Sequence, residues 1–261
     1  MKKESTVITK LQKDNISRII LNEPATYNAL SLNTLKSLIN TFNKLNNDKK
    51  TKVIIIEGNG KGFSAGHNLK EVNLLKSKSE YKKLFSLCSK LMIAITNNSK
   101  PVIAKVHGAA FAAGCQLVST CDLAISSEDA LFATPGVHIG LFCSTPMVAV
   151  SRNVNRKHTM KMLLTGDPIS ANHAKEIGLI NDYYKSQNLE RETLSLAHKI
   201  ASKSNKIVQI GKKAFYKQLN MSLESAYSYT SEVMTKNMME LDAKEGISAF
   251  IEKRIPKWKN K

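Results

Sequence analysis

Two glycine-rich segments have the residue types and the setting of an anion-binding site. They are residues 58–66 (GNGKGFSAG) and 108–114 (GAAFAAG), and each follows a β-branched run and precedes a helix-like stretch. At such a strand–turn–helix junction, unpaired backbone N–H groups and the positive end of the helix dipole attract negative charge. The two segments therefore predict backbone donors for a small anion.

The chemistry of these donors depends on whether the two turns act apart or together. Neither turn matches the GxxxxGK[ST] pattern of a P-loop, and neither carries GxGxxG in its usual dinucleotide-binding context. Nucleoside triphosphates and NAD are therefore disfavoured as ligands. If the turns meet, one N–H from each can hold a carbonyl oxygen that gains negative charge during a reaction, which is an oxyanion hole. The alternative is that both are ordinary turns.

The segments around these turns predict an α/β architecture. β-branched runs at 16–21, 53–57 and 102–106 alternate with apolar residues at helical spacing in 32–45 and 81–95. Parallel strands joined by helical crossovers are the expected product.

The last third of the chain is predicted to be helical. After Leu189 the strand-like runs give way to apolar residues at helical spacing, as far as Met238 and Met239. Helices rich in Met and aromatic residues more often form a core or a subunit interface than a ligand surface. We therefore predict an α/β core over residues 1–188 and a helical subdomain over residues 189–261.

The formal charge of +18, from 39 Lys and Arg against 21 Asp and Glu, favours a polyanionic partner. Nucleic acid, a membrane surface and a phosphorylated ligand all fit that description. Only five of the basic residues are Arg, and the lysines are scattered, without a basic segment that is interleaved with aromatic residues. Nucleic-acid binding is therefore not expected, whereas the phosphates of a phosphorylated ligand would pair with part of the positive charge.

Several features predict a cytoplasmic protein without a membrane span. Lys105 and His107 interrupt the longest apolar run, and residues 1–15 lack the apolar core of a signal peptide. The four cysteines form no CxxC pair, which indicates free thiols in a reducing compartment.

Residues 103–122, IAKVHGAAFAAGCQLVSTCD, resemble the signature of the enoyl-CoA hydratase/isomerase (crotonase) family. Similar segments follow the family's order over nearly the whole chain: 28–30 (NAL), 64–71 (SAGHNLKE), 164–171 (LTGDPISA), 174–179 (AKEIGL) and 245–254 (EGISAFIEKR). Residues 112–116, 140–146 and 215–219 most resemble one branch of this family.

This resemblance implies a fold, an assembly and a ligand. The fold is α/β, a crotonase-like spiral of ββα units with a C-terminal helical trimerisation subdomain. The assembly is a homotrimer that often pairs into a hexamer. The ligand is a coenzyme A thioester, bound as substrate and not as a resident cofactor, and no metal is implied. The family's two oxyanion donors fall on the backbone N–H groups of His67 and Ala113, so the His67 side chain has no required role.

The resemblance also assigns a surface that binds coenzyme A. It consists of backbone from two loops, with an aromatic residue and a lysine from the C-terminus of a neighbouring subunit. The corresponding residues are Asn28, Ala29, Leu30, Ala65, Gly66, Asn68, Leu69, Phe250 and Lys253. Without the resemblance, Phe250 and Lys253 fit an ordinary helix with a buried Phe and a solvated Lys equally well.

Both glutamates that the family uses for hydration are replaced, because their positions fall on Gln116 and Gly136. Glutamine can hold a water but cannot exchange a proton at neutral pH, and glycine has no side chain. Position 136 also supplies the acid–base group of the family's double-bond isomerases. Ser144 stands where relatives that isomerise dienoyl-CoA or dehalogenate aryl-CoA carry an aspartate. Fast hydration and simple isomerisation are both disfavoured.

Other sources of a base stay open. Histidine is the usual side-chain base near neutral pH, so His138 can act as a base if it faces the site, and Cys143 and Ser144 lie on the following turn. The naphthoate-synthase branch of the family, which also has glycine at the position of the missing glutamate, borrows bicarbonate, so an exogenous anion is another source. Glu71 and Asp122 fit a helix-start charge and a strand-end contact instead.

These observations favour an acyl-CoA enzyme that stabilises a thioester enolate and hydrates crotonyl-CoA slowly. The alternative is a non-catalytic protein that keeps the fold and binds acyl-CoA in a regulatory role. Nucleic-acid binding is the third class and rests on the charge alone.

Overall fold

The computed structural model describes residues 5–12 and 14–260, which alternate between strands and helices over the first two thirds of the chain. The strands are β1 (Val7–Leu11), β2 (Ile16–Leu21), β3 (Val53–Gly58), β4 (Val102–Val106), β5 (Ala109–Phe111), β6 (Leu123–Ser127), β7 (Leu131–Ala133), β8 (Ile169–Ser170) and β9 (Asp182–Tyr184). The helices are α1 (Leu32–Asn47), α2 (Leu69–Leu74), α3 (Lys78–Thr96), α4 (Ala113–Thr120), α5 (Pro146–Val150), α6 (Arg156–Thr165), α7 (Ala171–Glu176), α8 (Ser186–Ala201), α9 (Asn205–Gln218), α10 (Leu223–Met238) and α11 (Leu241–Ile251).

A six-stranded sheet in the order β1-β2-β3-β4-β6-β9 forms the centre of the fold. β1 pairs antiparallel with β2, and every other neighbouring pair in this sheet is parallel. Ile54 and Ile56 of β3 point to one face and join the main core, whereas Val53 and Ile55 point to the other face. Because both faces are covered, β3 reads as a continuous apolar run, as expected for a parallel sheet.

Helices α1 and α3 cover the first face, and their ends are fixed by local side-chain bonds. Ser31 caps α1, because its hydroxyl accepts a hydrogen bond from the Thr34 N–H. Ser77 and Glu80 form a capping box at the start of α3. Both helices bury an apolar stripe in the main core: Leu35, Leu38, Phe42, Leu84, Leu91 and Ile95.

A second, smaller sheet in the order β5-β7-β8 lies beside the glycine-rich segment 108–114. β5 runs parallel to β7, with Ala110 opposite Phe132, and β7 pairs antiparallel with β8. Since β5 ends at Phe111 and α4 begins at Ala113, the turn between them is held by this sheet on one side and by a helix on the other.

Helix α8 belongs to the α/β core, so the domain boundary predicted between residues 188 and 189 needs correction. The boundary falls inside α8, whose Ala197 and Ala201 pack against the second face of the sheet, on Ile55 and Ile103. Helical periodicity identifies a helix but not the layer against which that helix packs. The described chain after α8 contains the helices α9, α10 and α11 as its regular elements.

Four charged side chains fasten α8 to the sheet. Arg18 of β2 donates hydrogen bonds to both oxygens of Glu57, at 2.7 Å each, and to both oxygens of Glu190, at 2.6 and 2.8 Å. The Lys105 Nζ donates to Glu57 at 2.7 Å and also to Glu190. Hydrogen bonds from Arg18, the largest favourable cause, hold the pKa of Glu190 at about 2.

This cluster predicts an acid-sensitive contribution to stability. The pKa of an unfolded glutamate is about 4.3, above that of folded Glu190, so the unfolded state binds more protons in between and the contribution disappears as pH falls from about 4.5 to 2. Glu190→Gln is expected to lower the free energy of unfolding at pH 7 by about 1 kcal/mol, because Glu190 is half exposed and solvent screens the pair.

Urea unfolding of the wild type and Glu190→Gln, measured at several pH values from 7 to 3, checks this effect. The variant should show the shallower loss of stability in acid. Glu224→Gln, at an exposed position in the first turn of α10, is the matched control and should follow the wild type. Parallel acid profiles for wild type and Glu190→Gln would contradict the account.

Candidate active site

The two glycine-rich segments meet, as the oxyanion-hole interpretation requires. Ser64 of the first segment forms a β-bridge with Ala110 of the second, and the Ser64 carbonyl accepts a hydrogen bond from the Phe111 N–H at 2.9 Å. A Cβ atom on Gly114 would lie 2.2 Å from the Ser64 oxygen, so only glycine allows this approach. The first turn of α4 is thereby pressed against the first segment.

Two unpaired backbone donors belong to the wall of one cavity at this junction. His67 and Ala113 both line a cavity of about 460 Å³. Within residues 5–12 and 14–260, neither of their N–H groups donates a hydrogen bond to another part of the chain. Gly66 lies beside them with φ +92°, and a Cβ there would be 3.1 Å from the Ala113 nitrogen. The absence of that Cβ leaves the space next to the donor open.

Ala112 has a strained backbone that starts α4 at this point. Its φ of 48° and ψ of −116° lie outside the regions that L residues commonly adopt. Hydrogen bonds fix the residue on both sides, because its N–H donates to Ala133 O at 2.9 Å and its carbonyl accepts from Gln116 N at 3.0 Å. Such strain costs about 1–3 kcal/mol and persists only where the surroundings hold it.

Relief of this strain is measurable as a gain in stability. Ala112→Gly is expected to raise the free energy of unfolding by about 1 kcal/mol, because the strain that disappears exceeds the entropy cost of a new glycine. Denaturant unfolding checks the change. Ala110→Gly, in the buried β5 strand, is the control and should lose stability instead. An Ala112→Gly variant no more stable than the wild type would contradict the strain.

The cavity wall is mostly apolar and holds few titratable side chains. Its apolar lining comes from both glycine-rich segments, from α2 and α3 and from the segment 135–146: Ala65, Leu69, Val72, Phe85, Ala112, Pro135, Ile139, Leu141, Phe142 and Pro146. Its titratable groups are His67, His138 and Cys143, and among the described lining residues there is no Asp, Glu, Lys or Arg. Burial raises the pKa of the Cys143 thiol, which disfavours the thiolate.

The positions of the two missing glutamates differ in their relation to the cavity. Gly136 forms part of the wall. Gln116 is buried, and its Oε1 accepts a hydrogen bond from the Cys88 Sγ at 3.6 Å. The amide oxygen of Gln116 is thus bonded to a thiol between α3 and α4.

Gly136 cannot take a side chain in this structure without movement of its neighbours. A Cβ there would lie 2.8 Å from Leu141 O and 3.0 Å from Cys143 Sγ. Gly136→Glu is therefore expected to lower the free energy of unfolding by about 1–3 kcal/mol through overpacking. It is also expected to leave crotonyl-CoA hydration at the wild-type rate. The new side chain clashes with Leu141 and Cys143 and moves their loop, so its carboxylate is not held at the position that hydration requires.

Thermal unfolding and a crotonyl-CoA hydration assay check this variant together. Gly211→Glu is the matched control, because a Cβ at Gly211 meets nothing within 4 Å and glutamate favours helix. That control should unfold at or above the wild-type temperature. A stable Gly136→Glu protein with fast hydration would show that the wall has room for the carboxylate.

His138 and Ser144 reach the same cavity wall. His138 Nε2 lies 2.8 Å from the carbonyl oxygen of Thr165, and since a carbonyl can only accept, Nε2 carries the hydrogen. In the neutral ring the free acceptor is therefore Nδ1. The Ser144 hydroxyl makes a long 3.4 Å bond to Phe142 O and is exposed. His138 is the better placed of the two to accept a proton.

Glu71 and Asp122 do not line the cavity. Glu71 Oε2 accepts a hydrogen bond from the Leu32 N–H at the start of α1, at 2.9 Å. Asp122 accepts from the Val102 N–H at 2.7 Å and from side chains of α9. Both carboxylates have the structural contacts that the sequence indicated.

Of the residues predicted to bind coenzyme A in the two loops, some line the cavity and others support its wall. Ala65 and Leu69 line the cavity, with Leu69 half exposed. Asn28 is buried, and its Nδ2 donates to the carbonyls of Asn59 and Gly62 at 2.8 Å each. Two more positions are buried or bonded within their own loops and support the wall: Ala29 and Leu30.

The remaining predicted positions lie at helix ends. Asn68 caps α2, because its Oδ1 accepts from the N–H groups of Lys70 and Glu71. Phe250, on α11, is 85% exposed, which corrects the alternative of a buried Phe. Lys253 follows α11 in a left-handed conformation with φ 54°. Neither Phe250 nor Lys253 lines the cavity of its own chain.

Sequence reasoning missed Phe85 and Val72 as parts of the wall. Phe85 lies on α3, and its ring packs edge-to-face against His67 with centroids 5.7 Å apart. Phe85 is about one third exposed, unlike the stripe that α3 buries. The sequence contained one signal that could have identified Phe85: it is an aromatic residue on the outward face of an amphipathic helix.

The fold is that of the enoyl-CoA hydratase/isomerase family, and the chain belongs to that family. The family's sequence model matches residues 12–261. An enoyl-CoA hydratase structure from Mycobacterium smegmatis superimposes with a TM-score of 0.96 and 44% identity, over 98% of this chain and 99% of that one. The predicted crotonase fold is thereby confirmed.

The branch that the three sequence segments indicated is also confirmed. The enoyl-CoA hydratase domain-containing protein 3 of Xenopus laevis, named as mitochondrial, is 46% identical over 98% of this chain and 87% of its own length. The crystal structure of the human enoyl-CoA hydratase domain-containing protein 3 has a TM-score of 0.94 and 46% identity, over 97% of this chain and all of that one.

The expected cytoplasmic location is wrong by the same comparison. The relatives from Xenopus laevis, Mus musculus and Homo sapiens, 46–47% identical, are all named as mitochondrial proteins. The four cysteines are free and buried as predicted, but free thiols indicate a reducing compartment without telling one such compartment from another. Among the described residues, no helix combines the length and the apolar character that crossing a membrane requires.

Proposed function

We propose that this protein binds acyl-CoA thioesters in the cavity and stabilises the thioester enolate with the backbone N–H groups of His67 and Ala113. One observation carries the proposal: two unpaired backbone donors, one from each glycine-rich segment, belong to the wall of one apolar cavity. In a site with little water, a well-placed donor contributes about 10²–10³ in rate when the oxygen gains charge.

The cavity chemistry favours proton exchange at the α-carbon over hydration. Hydration in this family relies on two carboxylates, and no carboxylate is among the described lining residues. Each missing acid–base group costs about 10²–10⁴ in rate. Crotonyl-CoA hydration is therefore proposed to be slow.

His138 is our proposed base for the α-proton. Its bonded Nε2 leaves Nδ1 as the acceptor, and the ring reaches the cavity wall. The proton moves from the α-carbon to Nδ1, and the electron pair of the broken C–H bond moves onto the thioester oxygen, where the two N–H groups hold it. Bicarbonate is the alternative base, as the family resemblance implies, and no resident cofactor or metal is proposed.

A binding protein without catalysis is the second candidate function. It is favoured by the same absence of carboxylates from the described cavity wall, since an apolar pocket with two backbone donors suits a bound thioester without any proton transfer. Such a protein would hold or sense acyl-CoA.

A homotrimer, in which trimers can pair into a hexamer, is the proposed assembly. Large apolar side chains on α9, α10 and α11, or directly after α9 and α10, are exposed in the single chain: Phe215, Leu219, Leu223, Tyr227, Met234, Met239, Ile247, Phe250 and Ile251. Exposed apolar surface of this extent favours association. In the assembly, Phe250 and Lys253 would serve the coenzyme A site of the neighbouring subunit. By similarity to the named relatives, we propose a mitochondrial location.

Deuterium exchange at the α-carbon tests the proposed function without knowledge of the natural substrate. Butyryl-CoA is incubated with the protein in D₂O, with and without bicarbonate, and its mass is followed. A protein-dependent mass gain supports catalysis, and dependence on bicarbonate identifies that anion as the base. Saturable binding without exchange supports the binding protein instead, and no binding of butyryl-CoA would overturn both candidates.

A further inference from the structure

The imidazole of His138 is held by the end of a helix. His138 lies in the 3₁₀ helix Pro135–Ile139, and its Nε2 donates a hydrogen bond to the carbonyl oxygen of Thr165 at 2.8 Å. Thr165 is the last residue of α6, and the last carbonyls of an α-helix have no partner within the helix. His138 therefore pairs with a free helix carbonyl, and that carbonyl fixes the tautomer of the ring.

Gly166 leaves the space that this contact needs. It follows α6 in a left-handed conformation with φ +71°, and a Cβ atom there would lie 2.9 Å from His138 Nε2 and 3.1 Å from Pro135 Cα. The imidazole is the end of a side chain, whereas Pro135 Cα is backbone. An added methyl group is therefore expected to push the ring away from the Thr165 carbonyl.

The end of α6 also suits the charge that His138 gains in the proposed function. When Nδ1 takes the α-proton, the ring becomes positively charged, and the partial negative charge at a helix C-terminus favours a cation in contact with it. In hydrolases with a catalytic triad, a carboxylate fixes the histidine tautomer and stabilises the charged ring. The cavity lining described above contains no carboxylate, and the Thr165 carbonyl is placed to take over both tasks.

We propose that Gly166 is a positioning residue, whose missing side chain lets the C-terminus of α6 orient His138 as the base for the α-proton. This inference rests on the proposed function, in which His138 takes that proton. The Thr165 carbonyl keeps a hydrogen on Nε2, so Nδ1 is the nitrogen that accepts. Gly166 does not line the cavity and acts through the His138 ring.

Gly166→Ala is expected to slow α-proton exchange of butyryl-CoA about 10- to 100-fold, because displacement of a reacting group by about 1 Å can cost about 10²-fold in rate. The butyryl-CoA concentration that gives half the maximal rate should change by less than about twofold, since the two backbone donors of the cavity are not altered. Exchange in D₂O without added bicarbonate, followed by mass spectrometry over a range of butyryl-CoA concentrations, measures both quantities.

Gly178→Ala is the matched control. Gly178 follows α7 with φ +80°, so alanine there meets the same left-handed backbone strain, but its Cβ would only be in ordinary contact with Asn153 O, at 3.4 Å. Gly178 does not line the cavity either. This variant should lose stability in urea unfolding and still exchange the α-proton within about threefold of the wild-type rate.

The nitrogen chemical shifts of ¹⁵N-labelled histidine report the tautomer without depending on catalysis. The signals of His138, assigned by their loss in His138→Gln, should show a hydrogen on Nε2 in the wild type and in Gly178→Ala when the ring is neutral. In Gly166→Ala the same signals should move toward the average of the two tautomers, because the Thr165 carbonyl no longer selects one of them.

The outcomes separate this inference from the proposed function. Exchange by Gly166→Ala as fast as by Gly178→Ala overturns the inference and leaves the proposed enolate stabilisation in place, with a base other than an oriented His138. Binding of butyryl-CoA without any wild-type exchange overturns the proposed catalysis and this inference with it. A wild-type His138 with its hydrogen on Nδ1 overturns the inference by itself, which decides the matter should Gly166→Ala not fold.

Discussion

Ala113→Pro is expected to slow α-proton exchange of butyryl-CoA by about 10²–10³-fold, the effect of losing one oxyanion donor. Proline has no N–H, so the substitution removes the proposed donor itself. Position 113 is the first residue of α4, where a helix tolerates proline because the N–H there has no partner in the helix. The exchange rate in D₂O, measured by mass spectrometry under saturating butyryl-CoA, gives the effect.

Two further measurements make this result specific. Ala113→Gly keeps the N–H and is expected to exchange within about threefold of the wild type, so it controls for loss of the methyl group. Unfolding curves for both variants show whether the strained Ala112 next to the substitution accepts the change. A folded Ala113→Pro protein that exchanges at the wild-type rate would exclude this N–H as an oxyanion donor.

Lys212→Met is expected to lower the free energy of unfolding by about 3–5 kcal/mol, the usual cost of removing one partner from a buried ion pair. The Lys212 Nζ donates to Asp122 Oδ2 at 2.7 Å and to the carbonyls of Ile95 and Lys100 at 3.2 and 2.9 Å. The side chain is 7% exposed. Without the ammonium group, the partly buried carboxylate of Asp122 keeps its negative charge, and its remaining donors among the described residues are neutral: the Val102 N–H and the Tyr216 hydroxyl.

Urea unfolding of the variant measures this loss. Lys213→Met, at the exposed neighbouring position on α9, is the matched control and should change the free energy of unfolding by no more than about 0.5 kcal/mol. A loss below about 1 kcal/mol for Lys212→Met would show that the ion pair does not fasten α9 to the α/β core. Since α9 leads into α10 and α11, loss of this contact should also weaken the proposed assembly.

Much of the fold could be predicted because local patterns and packing agree. The β-branched runs at 16–21, 53–57 and 102–106 are all strands, and the segments 32–45 and 81–95 are helical. The domain boundary could not be predicted in the same way. α8 has helical periodicity, but its partner is the second face of the sheet, including residues far away in the sequence such as Ile16 and Ile55.

Glycine spacing alone left open whether the two glycine-rich segments meet, because it indicates a turn without showing what that turn approaches, and only the family resemblance implied that they meet. The rest of the cavity wall consists of side chains from helices and loops that are far apart in the sequence. Local sequence patterns do not show how these elements pack against one another. Phe85 on α3 and Leu141 after the turn at Gly140 are examples. Gln116 shows the same limit, because its hydrogen bond to Cys88 depends on how α4 packs on α3.

The most direct test of the account is a crystal structure of the protein with butyryl-CoA bound. We predict that the thioester oxygen lies within hydrogen-bond distance, about 3 Å, of the backbone nitrogens of both His67 and Ala113. A thioester oxygen bound by other groups, or a butyryl-CoA molecule bound outside the cavity next to Gly66, would contradict the central claim.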